Sequence, residues 1–537
     1  MAKEIIQQWQ FLGRVHPELM KDSLFEKCKE LGITSLQSYL PWSEVEREKG
    51  NWDFSVYDPL VEKLKKHNLK WVPFLILGPE YAVPEWFHNS KESVYAKCLE
   101  HGKKSRIQSI WNPYLPKYVD EFLKKVSEHY QDKNILESIE VGISGNWGEA
   151  IFPGVGGFNK GFHTHLGWWA GDEFARKDFK DYLTKKYGES ADFSFPKLKK
   201  KIDLKVFLIN SAGKLPPSFK NFLKRSLRSA SPAKSFLVFD KGAEPEKKDE
   251  KWLDFIEWYF GSMNRWAEFW LKTAKKYFPE TRIYLVTGGT AHPALGANFS
   301  EQAKISARNG AEIRITNQTN EYSQSFTLTS LMASACRFYG ADFVTEEEAV
   351  LQTGEGVVMR IFDALSSGAK GIYCKNFIST GGDPVIRKYM PIGSLTPGAE
   401  SLKENLKYLK EEKPIIARAV LFPNISIALN PETLINLYNK CSLLRSRMNF
   451  DLVDESMIKD GVLKNYKYLL ILEGDVSEGV ALVKIKEWQN QGGILTSDSA
   501  KLPKEFNEEK GVYGANFEKK VVYYNSNKNS ILEVNNK

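Results

Sequence analysis

Glu149 is the first residue of the chain whose surroundings point to chemistry. It follows the apolar run that ends at Ile143, and its neighbours along the chain include Trp147, Ile151 and Phe152. Apolar surroundings disfavour an ionised carboxylate, which is the property that a general acid needs near neutral pH. A salt-bridged loop glutamate is the alternative interpretation. The flanking glycines and the position directly after a predicted strand favour a proton donor.

A second group of carboxylates, Glu346, Glu347 and Glu348, directly follows the apolar run that begins at Phe343. A solvated acidic run is the alternative. Because side chains alternate along a strand, Glu347 points to one face, and Glu346 and Glu348 point to the other. We expect Glu346 or Glu347 to be catalytic and leave both open. Thr345, as a plausible inward neighbour of Glu347, slightly favours Glu347.

Two carboxyl groups on different strands are the minimum equipment for cleaving a glycosidic bond. One protonates the leaving oxygen, and the other attacks the sugar or activates water. A separation of roughly 5–5.5 Å gives retention of configuration, and one of roughly 6.5–9.5 Å gives inversion.

The elements that must position these groups alternate between short apolar runs and segments of helical period, which predicts an α/β fold. Eight such runs favour a closed (β/α)₈ TIM barrel, whose active site lies at the carboxyl ends of its strands. The long loop 144–169 follows the fourth strand, and residues 190–250 read as an insertion. The predicted strands are Phe11–His16, Ser35–Leu40, Lys70–Leu77, Ile135–Ile143, Arg282–Thr287, Ala311–Thr316, Asp342–Thr345 and Gly371–Phe377.

Polar and aromatic residues near the predicted strand ends are candidate partners for sugar hydroxyls and stacking platforms for sugar rings. For any one of them, a structural role is the alternative. His163, with His165 and the neighbouring tryptophans, could form a lid over the sugar. The candidates are His16, Tyr39, Trp42, Glu80, Asn146, Trp147, His163, Trp168, His292, Asn317, Glu321 and Lys375.

A smaller unit is predicted to begin near Lys413, so that residues 1–412 form the barrel domain and residues 413–537 a second domain. Ala417–Phe422, Phe450–Val453, Tyr468–Leu472 and Ile494–Ser497 read as strands separated by helices. This order predicts a small doubly wound α/β domain. One further strand is expected at Lys520–Tyr524.

The composition of the chain argues against several classes of function. The net charge is +8 over 537 residues, but no nucleic-acid-binding module accompanies it, so a solvated basic surface is expected. Five scattered cysteines show neither a zinc spacing nor a disulfide framework, and no apolar run is long enough to span a membrane. We expect a cytoplasmic protein with no metal, no organic cofactor, no nucleic-acid partner and no membrane partner.

The chain resembles the barrel glycosidases of clan A, especially the family 42 β-galactosidases. The segment Leu40–Phe54 is similar to their second strand and the loop that follows it, and Trp168–Gly188 is similar to the helix after their fourth strand. The segments 419–423, 450–455 and 466–472 resemble their trimerisation domain, a fold related to glutamine amidotransferases. The resemblance implies a homo-oligomer, with a trimer as the family's form, and a β-galactosidase-like activity.

The acid segment departs from that family, because Gly148 stands where the clan has an asparagine before the acid. Gly148-Glu149 and the Phe152–Gly156 stretch instead resemble the β-amylases of family 14, as does Val83–Phe87. Those enzymes are inverting, and the resemblance implies a base near Glu321.

The sequence therefore predicts a glycoside hydrolase, in first place a retaining exo-β-glycosidase that uses Glu149 with Glu347 or Glu346. An inverting, β-amylase-like hydrolase that uses Glu149 and Glu321 is the second hypothesis. A non-catalytic carbohydrate-binding protein is the third.

Overall fold

The structure of the chain is a computed structural model. It describes residues 4–154, 162–189, 194–198, 244–317, 322–347, 354–374, 377–381, 390–409, 414–445, 448–476, 479–497, 512–517, 520–525 and 530–535.

Eight parallel strands close into a barrel, in the order β1-β10-β9-β8-β7-β6-β3-β2. The predicted barrel is thus confirmed. A short antiparallel hairpin, β4 (Tyr95–Lys97) and β5 (Lys104–Gln108), lies in the loop after β3 and was not predicted. The barrel strands are β1 (Glu4–Gln10), β2 (Ser35–Pro41), β3 (Lys70–Ile76), β6 (Ser138–Gly142), β7 (Arg282–Gly288), β8 (Glu312–Asn317), β9 (Phe343–Glu347) and β10 (Gly371–Cys374).

The first strand is not where the sequence predicted it. The strand is Glu4–Gln10, and residues 11–14 of the predicted strand Phe11–His16 form bends, with Gly13 at a φ of +67°. The strand lacks a recognisable apolar pattern because three of its buried residues are glutamines, Gln7, Gln8 and Gln10. Polar residues inside a barrel do not produce the apolar signal on which strand prediction depends.

Helices surround the barrel, and the longest, α7, runs along β6 and β7 with an almost fully buried aromatic face. The helices of this part of the chain are α1 (Asp22–Glu30), α2 (Trp42–Val45), α3 (Asp58–Lys66), α4 (Glu85–His88), α5 (Leu115–Tyr130), α6 (Glu173–Tyr187), α7 (Glu250–Tyr277), α8 (Phe299–Arg308), α9 (Tyr322–Tyr339), α10 (Gly354–Ser367) and α11 (Pro397–Asn405).

A four-stranded parallel sheet, ordered β12-β11-β13-β14, forms the second unit. Its strands are β11 (Arg418–Phe422), β12 (Asp451–Asp454), β13 (Tyr468–Leu470) and β14 (Ile494–Thr496), and its helices are α12 (Asn424–Leu429), α13 (Glu432–Arg445), α14 (Glu455–Lys459) and α15 (Gly479–Asn490). An antiparallel sheet of β15 (Val512–Phe517), β16 (Lys520–Asn525) and β17 (Ser530–Asn535) follows. The domain boundary at residues 412 and 413 stays a prediction.

The second unit packs on the outer helices of the barrel through buried hydrogen bonds. Trp252 Nε1 donates to the Ala428 carbonyl at 3.0 Å, and Tyr438 donates to the Thr290 carbonyl at 2.6 Å. Ser300 Oγ donates to the buried Asp454 carboxylate. These contacts join α7, the loop after β7, and α8 to the second sheet.

Within the part of the chain that the structure describes, no helix combines the length and the apolar character that crossing a membrane requires.

The amino end of the barrel is closed by one guanidinium that is shared among three glutamates. Arg282 pairs with Glu137 at 2.7 Å, with Glu312 at 2.7 Å, and with Glu4. Burial and the neighbouring Glu137 carboxylate raise the pKa of Glu4 to about 7, although Arg282 opposes this shift. One positive charge cannot balance three carboxylates in a half-buried site, so Glu4 retains its proton.

This raised pKa predicts a specific pH dependence of stability. The stability that Glu4 contributes is fully present below its ordinary value of 4.5 and is lost as the pH rises through about 7. In Glu4→Gln, the amide mimics the protonated acid at every pH. We expect urea unfolding to give equal free energies for wild type and variant at acidic pH. Above neutral pH the variant should be more stable by about 1–2 kcal/mol. Equal pH profiles for the two proteins would contradict the proton assignment.

Candidate active site

The loop after β6 holds Glu149 in a fixed position at the carboxyl end of the barrel. The Glu149 side chain is 4% exposed. On one side, the Gly148 carbonyl accepts from Ile143 N at 2.7 Å. On the other, Ala150 N donates to the Val286 carbonyl of β7 at 2.8 Å. Asn146 steadies the same loop, because its Oδ1 accepts from Gly154 N at 2.8 Å.

The residue before the candidate acid, Gly148, has a backbone position that leaves no room for a side chain. Its φ is +125°, and a Cβ built on it would lie 2.7 Å from Phe74 Cζ and 3.3 Å from Gly142 Cα. Only a glycine lets the backbone lie this close to the aromatic ring that lines the barrel mouth. The loop carrying Glu149 is therefore packed directly on the interior of the barrel.

An aromatic wall stands beside Glu149. It consists of Phe11, Tyr39, Tyr81 and Trp147, with ring centroids of Phe11 lying 4.6 Å from Tyr39 and 5.9 Å from Trp147. Tyr81 donates to the Trp147 carbonyl at 2.8 Å. Burial, then the nearby Tyr39 and Glu149, raise the pKa of Tyr81 well above its usual value. Aromatic faces next to a buried carboxyl suit a sugar ring with its apolar C–H face.

Across the barrel, Glu346 points inward and is held by two neighbours on β8. Glu346 Oε2 accepts from Arg314 Nη2 at 2.7 Å, from Arg314 Nε at 3.2 Å and from Thr316 Oγ1 at 2.6 Å. Both Glu346 and Arg314 are buried. Alternation then puts Thr345 on the other face of β9. The inward orientation expected for Thr345, on which the slight preference for Glu347 depended, is therefore wrong.

Arg314 also pairs with Glu140 of β6, so one buried guanidinium bridges two carboxylates from opposite walls of the barrel. Burial raises the pKa of Glu140, an effect that Arg314 opposes, and Gln37 Nε2 donates to Glu140 Oε2 at 3.0 Å. The guanidinium lies between two rings, 4.2 Å from the centroid of Tyr373 and 5.1 Å from that of Phe74. This arrangement connects the two candidate carboxylates through a continuous chain of contacts: the Glu149 loop rests on Phe74, Phe74 on Arg314, and Arg314 on Glu346.

The predicted sugar-contact residues divide into two groups. Tyr39, Asn146 and Trp147 lie at the barrel mouth around Glu149, as described above. Glu80 follows β3, half-buried, and burial raises its pKa. Four of the others that the structure describes make packing or capping contacts.

Packing and capping contacts are what the structure shows for these four residues, and their contact with sugar stays a prediction. Trp42 is fully buried and packs edge-on against Trp86, with its Nε1 bonded to Glu46. Trp168 is buried against Trp252. His16 and His292 each begin a 3-10 turn by accepting a backbone N–H.

Glu321 and Lys375 lie outside the described residues, and for Asn317 and Glu347 only the backbone is described.

Arg314 and Glu140 were missed by the sequence analysis. The signal was a charged residue at an inward position within an apolar strand, Ile313-Arg-Ile315. A buried charge is costly unless paired, so its presence in a core strand indicates a partner nearby.

The structure also brings together a set of metal-ligating side chains that the sequence analysis said was absent. Cys98, His101, His163 and His165 each place one ligand atom within 4.8 Å of all the others. The expectation of no Cys/His cluster is therefore wrong, whereas the sugar lid suggested for His163 stays a prediction. Burial and the two neighbouring histidines lower the pKa of His163 to about 4, which keeps its imidazole neutral. The pairs Cys98-x-x-His101 and His163-x-His165 were the available signal.

Comparisons with known proteins agree with the barrel. Residues 14–142 match the family model of glycoside hydrolase family 42, described as β-galactosidase. "Beta-galactosidase 8" of Oryza sativa subsp. japonica is 26% identical over 112 residues, which is 19% of this chain and 16% of that protein. The match thus spans less than a fifth of the rice protein.

Solved structures extend the likeness over most of the chain. The β-galactosidase of Halorubrum lacusprofundi superposes with a TM-score of 0.62 at 12% identity, over 95% of this chain and 77% of that one. The β-galactosidase of Marinomonas ef1 gives 0.60 at 10% identity, over 92% and 75%. The catalytic domain of the Paenibacillus polymyxa β-amylase gives 0.55 at 18% identity, over 76% of this chain and all of that one. At these identities the likeness shows the fold.

The buried Arg314 predicts a large effect on stability. In Arg314→Met, Glu140 and Glu346 face each other across the barrel without their shared counter-charge. We expect the free energy of unfolding to fall by about 3–5 kcal/mol, as when one partner of a buried pair is removed. The measurement is urea unfolding at neutral pH. Arg308→Met is the matched control, because Arg308 forms an exposed pair with Glu268 at 2.6 Å and should change stability by about 1 kcal/mol or less. Equal effects of the two substitutions would contradict the central role of Arg314.

Proposed function

We propose that this chain, which the closed barrel and the family 42 match identify as a (β/α)₈-barrel glycoside hydrolase, is a retaining exo-β-glycosidase that acts on β-galactosides. The observation that carries the proposal is that two buried carboxyl groups, Glu149 in the loop after β6 and the inward-facing Glu346 of β9, are joined by a continuous chain of contacts. Glu149 follows the fourth strand of the barrel, and Glu346 lies on the seventh.

Glu149 acts as the acid and then as the base. Its buried position beside the aromatic wall disfavours the charged form, so that it carries a proton to the glycosidic oxygen as the bond breaks. After the first step it has lost that proton and activates the water that releases the sugar. The rigid loop holds the carboxyl in place for both steps.

Glu346 acts as the nucleophile. The hydrogen bonds from Arg314 and Thr316 all fall on Oε2, which leaves Oε1 for attack on the anomeric carbon. The covalent glycosyl-enzyme then forms on β9, and water displaces it with net retention. Glu347, the neighbour in sequence, stays the second candidate for this role.

The family 42 segment and the β-galactosidase likenesses support a β-galactoside as substrate. A cytoplasmic location and assembly into a homo-oligomer stay predictions. We propose that the second sheet serves in assembly, in the manner of a glutamine-amidotransferase-like trimerisation domain.

Kinetics of Glu149→Gln test the acid. We expect kcat/KM to fall by ~10²–10⁴ on a galactoside with a poor leaving group, because that oxygen must be protonated as it leaves. On 2,4-dinitrophenyl β-galactoside, whose leaving group needs no proton, the first step should be far less affected. Glu62→Gln is the control, because Glu62 is exposed on α3 and pairs only with Lys65 in the described structure. The same loss on both substrates would contradict an acid role. A wild type inert on a panel of aryl glycosides would favour a binding protein.

Azide rescue separates the two carboxylates. Azide added to Glu149→Gln should restore turnover and yield the β-glycosyl azide, because it replaces the water that the base activates. Azide added to Glu346→Gln should yield the α-azide, because it replaces the nucleophile. Product NMR reads the anomer in each case. Rescue of Glu347→Gln with the α-azide, and not of Glu346→Gln, would overturn the assignment of Glu346.

The anomer of the first-formed product decides between retention and inversion. Proton NMR in the first minutes of wild-type turnover should show β-galactose ahead of mutarotation. An α-product would instead support the inverting mechanism, for which Glu321 is the proposed base.

A further inference from the structure

A cavity lies on the outside of the barrel, between α6, α7 and the loop that follows β5. Its volume is about 350 Å³, within the range of small-molecule sites, which is roughly 300–1,000 Å³. Several side chains at its edge are exposed, so the cavity opens to solvent. We term it the outer pocket, and its lining includes Trp111, Lys177, Asp178, Asp181, Arg265 and Trp266.

Two indole rings form the apolar side of the outer pocket. Trp111 is half-buried, and its ring stacks on that of Trp258, with centroids 5.1 Å apart and planes 12° from parallel. Trp266 Nε1 donates to the Ile143 carbonyl at 3.0 Å, which fixes this ring against the end of β6. Aromatic rings that are already held in place offer a flat contact surface at little cost in conformational entropy.

An ion pair stands beside these rings. Arg265 Nη2 donates to Asp178 Oδ2 at 2.8 Å and to Ser262 Oγ at 2.9 Å. Trp258 Nε1 donates to the same Asp178 oxygen at 2.7 Å. Among the described residues, Asp178 Oδ1 and Arg265 Nη1 have no hydrogen-bond partner. The pocket therefore holds an open acceptor and an open donor next to each other, on side chains that their other contacts keep in place.

The charges that line the outer pocket balance. Lys177 and Asp181 lie one helical turn apart on α6, and neither has an ion-pair partner within the described part of the chain. With Arg265 and Asp178, they give the pocket as many cations as anions. Such a lining does not concentrate ligands of either sign. It favours an uncharged ligand.

A sugar ring has the chemistry that this lining can recognise. Each hydroxyl both donates and accepts a hydrogen bond, so two neighbouring hydroxyls can bond to the open oxygen of Asp178 and the open nitrogen of Arg265. The C–H face of the same ring can lie on the Trp111 indole. A purely apolar ligand would remove water from the ion pair without replacing its hydrogen bonds, which disfavours binding.

We propose that the outer pocket binds one ring of a neutral mono- or disaccharide, which stacks on Trp111 and hydrogen-bonds to Asp178 and Arg265. The pocket lies among the outer helices, whereas Glu149 and Glu346 belong to the carboxyl end of the barrel. It is therefore a site separate from the candidate active site. The proposal does not depend on the glycosidase mechanism, because a chain that hydrolyses no glycoside would keep the same pocket.

Titration calorimetry with galactose, lactose, cellobiose and maltose is the primary test. It uses the full-length protein in a Glu149→Gln background, which prevents turnover. At least one of these sugars should bind, and Arg265→Met should lower its affinity by ~10-fold or more, because a hydrogen bond to a charged group is lost. Arg308→Met is the matched control and should keep the affinity, because Arg308, like Arg265, is exposed and pairs with one carboxylate. Equal affinities in the two variants, or no binding of any of the four sugars, would overturn the proposal.

Kinetics separate the outer pocket from the barrel mouth. With Glu149 intact, Arg265→Met should hydrolyse an aryl β-galactoside with the kcat/KM of wild type, because Arg265 lies on an outer helix. A fall in kcat/KM by the same factor as the fall in sugar affinity would place the sugar in the mouth and count against a separate site.

Fluorine NMR reads the site on the wild-type fold. The protein is labelled with 5-fluorotryptophan, and Trp111→Phe identifies the Trp111 resonance by its absence. The sugar that binds should shift this resonance saturably, with the dissociation constant found by calorimetry. Sugar binding that leaves the Trp111 resonance unmoved would refute the proposal even if Arg265→Met failed to fold.

Discussion

A single guanidinium inside the barrel is the constraint on which the rest of the site depends. Arg314 binds Glu140 on one wall and Glu346 on the other, and it lies between the rings of Tyr373 and Phe74. A buried cation is tolerated only where its charge is matched, so the strands must keep the register that brings these groups together. The same contacts fix the floor on which the Glu149 loop rests.

The sequence predicted the parts of this arrangement that depend on local pattern. The alternation of apolar runs and helical segments was sufficient for the barrel, and the apolar neighbours of Glu149 singled it out. The orientation of the Glu346 side chain could not be predicted from the sequence. Which face of β9 points into the barrel depends on the register of β9 with β8 and β10, where Glu346 pairs with Thr316 and Tyr373. The first strand was misplaced because its buried glutamines lack the apolar signal.

The cluster of Cys98, His101, His163 and His165 illustrates the same limit over a longer span. The two residue pairs, Cys98-x-x-His101 and His163-x-His165, are each a common spacing. They meet only because the hairpin after β3, which the sequence did not predict, brings Cys98 close to His163. The fold thereby links two loops at one end of the barrel: the loop after β3 contacts Trp147 through Tyr81, and its β4–β5 turn is hydrogen-bonded to the later part of the loop after β6. The hydrogen bonds inside the barrel orient Glu346, and the contacts between loops at the carboxyl end of the barrel hold Glu149.

Covalent trapping tests the central claim, the assignment of Glu149 and Glu346 as a retaining pair, most directly. The protein is incubated with 2,4-dinitrophenyl 2-deoxy-2-fluoro-β-galactoside, which slows release of a glycosyl-enzyme more than its formation, and peptides are then mapped by mass. The account predicts inactivation with one fluorogalactosyl group on Glu346, and the same adduct in Glu149→Gln. An adduct on any other residue, or unimpaired turnover of the parent galactoside with no adduct, would contradict it.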